Sequence, residues 1–304
     1  MTAATSVSSA SGASRATVIA FLALISSMVC LCIGSSFGKT LFPLVGAQGT
    51  TTYRLVGASL ILLVIWRPWR MPLARRDAVA IVGYGVVLGV MNLCFYLSLQ
   101  TIPIGLAIAL EFSGPLTLAV VLSRRLIDFV WIGFALCGLG LLLPIGGDAA
   151  SNLDPVGVAY ALAAGVFWVA YILLGKLAGN THGGQATSLG ITVAALVVLP
   201  FGISTAGMRL LDPSLLVAGL AVAILSAALP FSLEMVALKR LPRKTYGILL
   251  SMEPAIGALT GVVMLSEHLS RTQWVAIAAI IVASIGCTAT ARRNQPAVVE
   301  STPT

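Results

Sequence analysis

Charge is what this chain has least of. Lysine, arginine, aspartate and glutamate together make up 9% of its 304 residues, where a soluble domain carries about 25%. Hydrophobic residues reach 58% and mean hydropathy is +1.02, so the chain cannot clothe itself for water and a soluble fold is excluded. Histidine is almost missing as well. His182 and His268 both fall in connecting segments, which leaves no His-based metal site. Cys30, Cys32, Cys94, Cys137 and Cys287 are odd in number and lie inside apolar runs, which argues against a disulfide framework. Cys30-x-Cys32 has the look of a metal pair, but residues two apart on a helix point in different directions. Small apolar packing is the simpler role. Gly38-Lys39-Thr40 lacks the upstream glycines and the preceding strand of a phosphate-binding loop, and no Gly-x-Ser-x-Gly nucleophile elbow occurs. The expectation is no metal, no cofactor and no enzymatic chemistry. The net charge of +8 does not point to nucleic acid, because the basic residues stand in short clusters between apolar runs.

What the chain does have is long apolar runs. A membrane helix needs roughly 20 such residues, and ten segments fit: 17–38, 51–66, 78–99, 103–123, 128–146, 155–175, 186–204, 214–238, 245–265 and 272–291. These runs are too long for a transmembrane β-barrel, whose strands alternate in ~10-residue segments. Proline, glycine and charge punctuate the short connections, as in Arg67-Pro68-Trp69-Arg70 and Asp154-Pro155. The Ser/Thr/Ala-rich residues 1–16 read as a disordered cytoplasmic N-terminus. No small-x-small cleavage site follows the run from Thr17, so that run is expected to stay as the first span. Residues 292–304 read as a polar cytoplasmic tail.

The sparse charges set the topology. With the N-terminus inside, cytoplasmic segments hold Arg15, Arg67, Arg70, Arg75, Arg76, Arg124, Arg125, Lys176, Lys239, Arg240, Arg243, Lys244, Arg292 and Arg293, which is 14 of the 18 basic residues. Lys39, Arg209 and Arg271 fall outside and Arg54 within a span, while Asp148, Asp154, Asp212 and Glu267 are outside. Such a skew predicts both termini in the cytoplasm.

The two halves also repeat each other. Gly38-Lys39 followed by Gln48-x-Thr50 returns as Gly175-Lys176 followed by Gln185-x-Thr187. Pro103 and Pro115 return as Pro242 and Pro254, each 139 positions on. Five spans per half turn the second copy upside down. The predicted fold is an all-α polytopic membrane protein of ten transmembrane helices in two inverted five-helix repeats, 17–146 and 155–291. Inverted repeats enclosing a midplane site are the build of secondary transporters. Gly34-xxx-Gly38, Gly85-xxx-Gly89 and Gly257-xxx-Gly261 read as close-packing faces.

Ionisable groups inside spans mark the candidate site, since a charge at mid-bilayer costs on the order of 3 kcal/mol or more. Glu111 and Glu253 sit within one turn of Pro115 and Pro254, the prolines expected to interrupt spans 4 and 9 and free a carbonyl one turn upstream. They are not strict repeat mates, because Glu111 aligns with Leu250 and Glu253 with Gly114. Two roles stay open for Glu234, near the inner end of span 8, and for Arg54, near the outer end of span 2: facing the site or snorkelling to the interface. Lys39 and Lys176 read as terminal anchors. Carboxylates with a few cations suit a small zwitterion, the carboxylate taking an ammonium group or exchanging it for a proton. Asn92, Tyr96, Gln100, Ser113, Trp168, Tyr171 and Ser251 supply polar and aromatic groups nearby, of which Tyr96, Gln100, Trp168 and Tyr171 are the expected wall.

These residues also carry a resemblance. Lys39-Thr40-Leu41-Phe42-Pro43-Leu44-Val45-Gly46-Ala47, Leu97-Ser98-Leu99-Gln100-Thr101, Ala109-Leu110-Glu111-Phe112-Ser113-Gly114-Pro115-Leu116, Asp128-Phe129-Val130-Trp131, Leu229-Pro230-Phe231-Ser232-Leu233-Glu234-Met235 and Ser251-Met252-Glu253-Pro254-Ala255 resemble the EamA-type transporters of the drug/metabolite transporter superfamily. The resemblance runs from about residue 20 to residue 290 and is strongest to its threonine and homoserine exporters. It implies an inner-membrane carrier exporting small neutral amino acids, with the proton as coupling ion and the lipid bilayer as its surroundings. Two alternatives stay open: a drug or amine exporter of the same fold, and a non-transporting membrane sensor or assembly protein. Whether the carrier is a monomer or a dimer is left open.

Overall fold

The computed structural model describes residues 5–70, 75–121, 126–142, 153–241, 246 and 249–290. The described residues are helical, with no strand among them. In chain order they form α1 (Thr5–Thr40), α2 (Phe42–Trp66), α3 (Arg75–Ser98), α4 (Ile104–Val121), α5 (Leu126–Leu142), α6 (Pro155–Ala206), α7 (Pro213–Ala223), a π-helical turn (Ile224–Ala228), α8 (Leu229–Arg240), α9 (Glu253–Leu265) and α10 (Arg271–Thr290). Six helical stretches are long and apolar enough to cross a bilayer. Four shorter apolar helices, Ile104–Leu118, Phe129–Leu141, Glu253–Leu265 and Arg271–Gly286, stand among them. The outer surface is greasy, with Val79, Val217 and Val263 each at least 70% exposed, as suits contact with lipid.

Local chemistry sets the helix ends. Pro155 and Pro213 stand in the first turns of α6 and α7, behind the N-caps Asp154 and Asp212. There a missing N–H costs nothing, and a carboxylate meets free amides. Asp154 accepts from Val156 N at 3.2 Å and Gly157 N at 3.3 Å. A hydrogen bond from Thr101, joined by these amides, holds its carboxyl below the usual carboxylate range.

The structure departs from the sequence reading in three places. Helix α1 begins at Thr5, inside the stretch expected to lack structure. Helix α2 begins at Phe42 rather than 51. Thr50, Thr51 and Thr52 turn their hydroxyls back onto the carbonyls of Gly46, Ala47 and Gln48, so a polar stretch that reads as a loop is absorbed into the helix. The bend this early start requires falls at Gly46, whose φ of 71° is open to glycine without penalty. Span 9 is broken: a turn at Ser251–Met252 precedes α9. Pro254 therefore occupies the first turn of a helix and interrupts no ladder, whereas Pro115 lies inside α4. In α6 the expected spans 155–175 and 186–204 are present as two arms, Pro155–Gly175 and Gly184–Leu211, which run in opposite directions. Gly157 lies against Ser98 and Thr101, Gly175 and Gly190 both lie against Tyr84, and Gly89 meets Ala194. The tail 291–304 and the loops at 122–125 and 143–152 lie outside the described residues.

Glycine sets the closest crossings. Gly114 of α4 meets the backbone of Gly165 on α6, so a Cβ at either position would strike main chain. Gly34 of α1 meets the π turn at Ser226 in the same way. The expected small-residue faces are crossings too: Gly85 and Gly89 pack on the second arm of α6, and Gly257 packs on Ile108 of α4.

The two ends of the bundle are built differently. At the end bearing Lys39, the largest core joins α3, α4, α6, α9 and α10 through Leu99, Ile102, Ile104, Val158, Ala258 and Ile277, beside a second cluster of Leu41, Val45, Tyr53, Ala206, Leu210 and Val222. At the end bearing Arg67, the main clusters are two smaller ones that stand apart. One gathers Leu62, Ile81, Tyr84 and Ile191, the other Ala20, Leu24, Ala237 and Leu249. The Lys39 end is also pinned by charge. Lys39 Nζ lies 2.7 Å from Glu267 Oε1 and 3.3 Å from Ile102 O, while Glu267 Oε2 accepts from Ile104 N at 3.0 Å. The side chains keep 22% and 10% exposure, so they are only partly desolvated. Replacing Lys39 by Met leaves Glu267 without its cation and is expected to cost about 1–3 kcal/mol. Thermal unfolding in detergent of Lys39→Met, Glu267→Gln and the double variant measures this, and the double variant is expected to lose less than the sum.

Candidate functional site

A cavity of about 350 Å³ opens between the two clusters of the Arg67 end and stops at the shared core. Its size lies at the low end of the ~300–1,000 Å³ of small-molecule sites. Glu111 of α4, Glu253 of α9, Glu234 of α8 and Arg54 of α2 all line it, together with Trp168 and Tyr171 of α6, Asn92 of α3 and Tyr246. Four charges from four helices thus converge in one chamber.

Arg54 is held there rather than snorkelling. Only 6% of it is exposed. One terminal nitrogen donates to Asn92 Oδ1 at 2.6 Å and the other to Ser226 O at 2.9 Å. The guanidinium lies 5.4 Å above the Tyr96 ring centroid, within cation–π range. Asn92 is fixed in turn by donating to Leu88 O at 2.8 Å. Ser226 O is free to accept for a reason written in the sequence. In an α-helix its donor would be the amide of residue 230, and Pro230 has none. The π turn loosens the same stretch, with Leu229 N reaching back to Ile224 O. Arg54 Nε keeps no partner, leaving its N–H uncommitted.

The carboxylates form a graded group. Glu111 and Glu253 are each 8% exposed, interact electrostatically with each other, and both feel Arg54. Glu234 is half-buried, accepts a hydrogen bond from Tyr246 OH, and feels Glu253. Pro115 deprives the Glu111 carbonyl of its helical donor, and the backbone of Gly165 closes over that carbonyl from α6. The same crossing seats Trp168 edge-on against Phe112, ring centroids 5.3 Å apart.

Two expected wall residues fall elsewhere. Tyr96 is fully buried behind Arg54 and touches the site through that guanidinium. Gln100 is exposed in the turn after α3 ends at Ser98, where the chain leaves the helix before Pro103. Ser113 donates to its own helix at Leu110 O, and Ser251 shares a hydrogen bond with Ser284 at 2.6 Å. Ser226 and Tyr246 escaped the sequence reading. Pro230 was the available pointer to Ser226, four residues upstream. Tyr246 carries no comparable mark, because a lone tyrosine near a helix end is common at membrane interfaces.

Apolar helices wrapped round a chamber of buried, mutually compensating charge define a multi-pass membrane transporter. Comparison with known proteins narrows this. The chain belongs to the EamA-like transporter family, whose profile matches residues 155–289. The threonine/homoserine exporter RhtA of Salmonella typhimurium strain SL1344 is 48% identical over 273 residues, covering 90% of this chain and 92% of that protein. The threonine/homoserine exporter RhtA of Escherichia coli K12 is 50% identical over 261 residues, covering 86% and 88%. A solved crystal structure aligns with a TM-score of 0.59 over 93% of this chain and 99% of its own. At 19% identity that likeness shows a shared fold.

The Arg54 cradle makes Asn92 a structural requirement. Asn92→Leu strips a buried guanidinium of an acceptor and is expected to destabilise the protein by about 1–3 kcal/mol, read as a lowered thermal unfolding midpoint in detergent.

Proposed function

We propose that this protein exports threonine, homoserine and similar small neutral amino acids across the bacterial inner membrane, by proton antiport with alternating access. The observation that carries the reading is the chamber itself: one buried cation and three carboxylates around a space sized for a small zwitterion. Half identity to threonine/homoserine exporters over nearly the whole chain supports the substrate class.

In this reading the ten helical segments are two inverted five-helix repeats, with the two arms of α6 as spans six and seven. The helix contacts support it, because they map onto one another when each span is exchanged with the one five places on. The packing of α1 on α7 and α8 answers that of the first α6 arm on α3. The packing of α1 on α9 answers that of the same arm on α4, and α2 on α7 answers the second arm on α3. The pairs α4–α9 and α5–α10 are their own counterparts. Exposed Arg67, Arg70, Arg75, Arg76 and Arg240 belong to the Arg67 end, which supports a cytoplasmic location for that end and both termini by the positive-inside rule. The conformation is then inward-facing, closed outside by the largest core and the Lys39–Glu267 pair.

The roles follow from charge. Glu111 and Glu253 take the substrate ammonium or, in its absence, the coupling proton. Arg54 Nε–H, which has no partner, is a donor for the substrate carboxylate. Trp168 and Phe112 supply an apolar wall. Glu253→Gln keeps shape and hydrogen bonding but removes the titratable charge. It is expected to abolish threonine efflux while the protein still reaches the membrane in normal amount. Overexpression of the wild type is expected to raise tolerance to homoserine and threonine and to enrich both outside the cell. Resistance to amines or dyes without amino-acid tolerance, or unimpaired efflux by Glu253→Gln, overturns the assignment.

A further inference from the structure

The chamber holds one carboxylate more than that scheme uses. An ammonium group and the proton it displaces engage Glu111 and Glu253, the pair that shares Arg54. Glu234 stands apart. It lies eight residues beyond Ser226 on α8, roughly 12 Å by helical rise, toward the Arg67 end where the chamber opens. Its acceptor oxygen Oε1 receives the Tyr246 hydroxyl, and Tyr246 sits in the segment that leads into Glu253. Tyr246 also interacts electrostatically with Glu253. Across the chamber, Tyr84 OH donates to Tyr171 OH at 3.2 Å, and both rings lie within the electrostatic reach of Glu234. The three carboxylates therefore form a line, Glu111 and Glu253 beside Arg54 and Glu234 nearer the mouth.

Among the described residues, the titratable groups around Glu234 are Tyr246, Glu253, Tyr171 and Tyr84, with Cys32 on α1 across the chamber. Arg240, at the end of the same helix, is exposed. Among the described residues, none of the groups facing Glu234 is a cation. A half-buried carboxylate with a hydroxyl donor, and with no cation facing it among those residues, is most cheaply neutralised by a proton.

We propose that Glu234, positioned by Tyr246, is a separate proton site at the cytoplasmic mouth, which receives the proton displaced from the Glu111–Glu253 pair and passes it to water. The proposal rests on the proton-antiport reading above. As the substrate ammonium settles on the pair, the carboxyl O–H of Glu253 breaks and the proton adds to the Glu234 carboxylate, forming a neutral acid. That O–H then breaks in turn, cytoplasmic water takes the proton, and Glu234 returns to carboxylate. One proton leaves for each amino acid bound, and no other reactant is needed.

The test uses the full-length protein in liposomes and radiolabelled threonine. Wild type is expected to accumulate threonine under a pH gradient and to exchange internal for external threonine without one. Glu234→Gln is expected to keep exchange but lose gradient-driven accumulation by about 100-fold, the lower range for removal of a positioned proton-transfer group. Tyr246→Phe is expected to lower the maximal rate of gradient-driven transport while leaving the KM for threonine unchanged. Accumulation by Glu234→Gln equal to wild type overturns the proposal and leaves the antiport reading standing. Loss of exchange along with accumulation in Glu234→Gln assigns Glu234 to substrate binding and also overturns it, as does a raised KM in Tyr246→Phe. A wild-type protein that exchanges threonine but ignores the pH gradient overturns the antiport reading itself.

Discussion

Everything at the centre of this protein depends on keeping the Arg54 guanidinium out of water. An arginine cannot escape the cost of burial by losing its proton, so the surrounding helices must supply what water would have supplied. They do so with an amide oxygen from α3, a main-chain oxygen from the π turn and a tyrosine face. Each requires the helices to stand in one relation. Asn92 must be anchored to its own turn, Pro230 must leave Ser226 O without a helical donor, and Gly34 must let α1 approach the same stretch. The carboxylates complete the set. Glu111 and Glu253 are tolerable in the interior because Arg54 is there, and Arg54 because they are. Mutual compensation of this kind contributes little to net stability, since desolvation offsets much of the attraction. Its value is a charged chamber that can exchange one partner for a ligand of like charge.

The chamber reaches only one side because the two ends hold together differently. Where the largest apolar core joins five helices, separation would expose much surface at once. Where two smaller cores stand side by side, a gap can persist between them. The Lys39–Glu267 pair reinforces the closed end with an interaction only partly removed from solvent, worth far less than the core beneath it. In the proposed alternating access, opening that end means parting the largest core. Interfaces of that kind have two packings rather than a continuum, because interiors are close-packed.

Much of this was legible in the sequence because hydrocarbon makes exceptions expensive. Ten apolar runs, four intramembrane charges and the skew of basic residues announce themselves against a background of Leu, Val and Ala. Glu111, Glu253, Glu234 and Arg54 all belong to the chamber. What escaped was whatever costs nothing locally. The threonines at 50–52 look like a loop, but in a helix they satisfy their hydroxyls on their own backbone. Gln100 looked suited to a wall, yet two residues past the end of α3 the helical register no longer aims it. Ser226 contributes a carbonyl, and a main-chain group has no letter of its own in a sequence.

The paired prolines show how far a repeat can be trusted. Pro115 and Pro254 hold equivalent positions in the two halves, but a proline does different work inside a helix than at its first turn. Inside α4 it frees the Glu111 carbonyl and lets the backbone of Gly165 close over it. At the start of α9 it follows a turn that puts Glu253 in the first helical residue, where free amides and the helix dipole favour negative charge. The carboxylate of Glu111 lies in the interior of α4 instead. Two glutamates one turn out of register thus meet different electrostatic surroundings on a scaffold whose helices otherwise answer one another. In the proposed antiport, duplication would supply two halves able to exchange places across the membrane, and the unequal placement of the charges would let substrate and proton be told apart within one chamber.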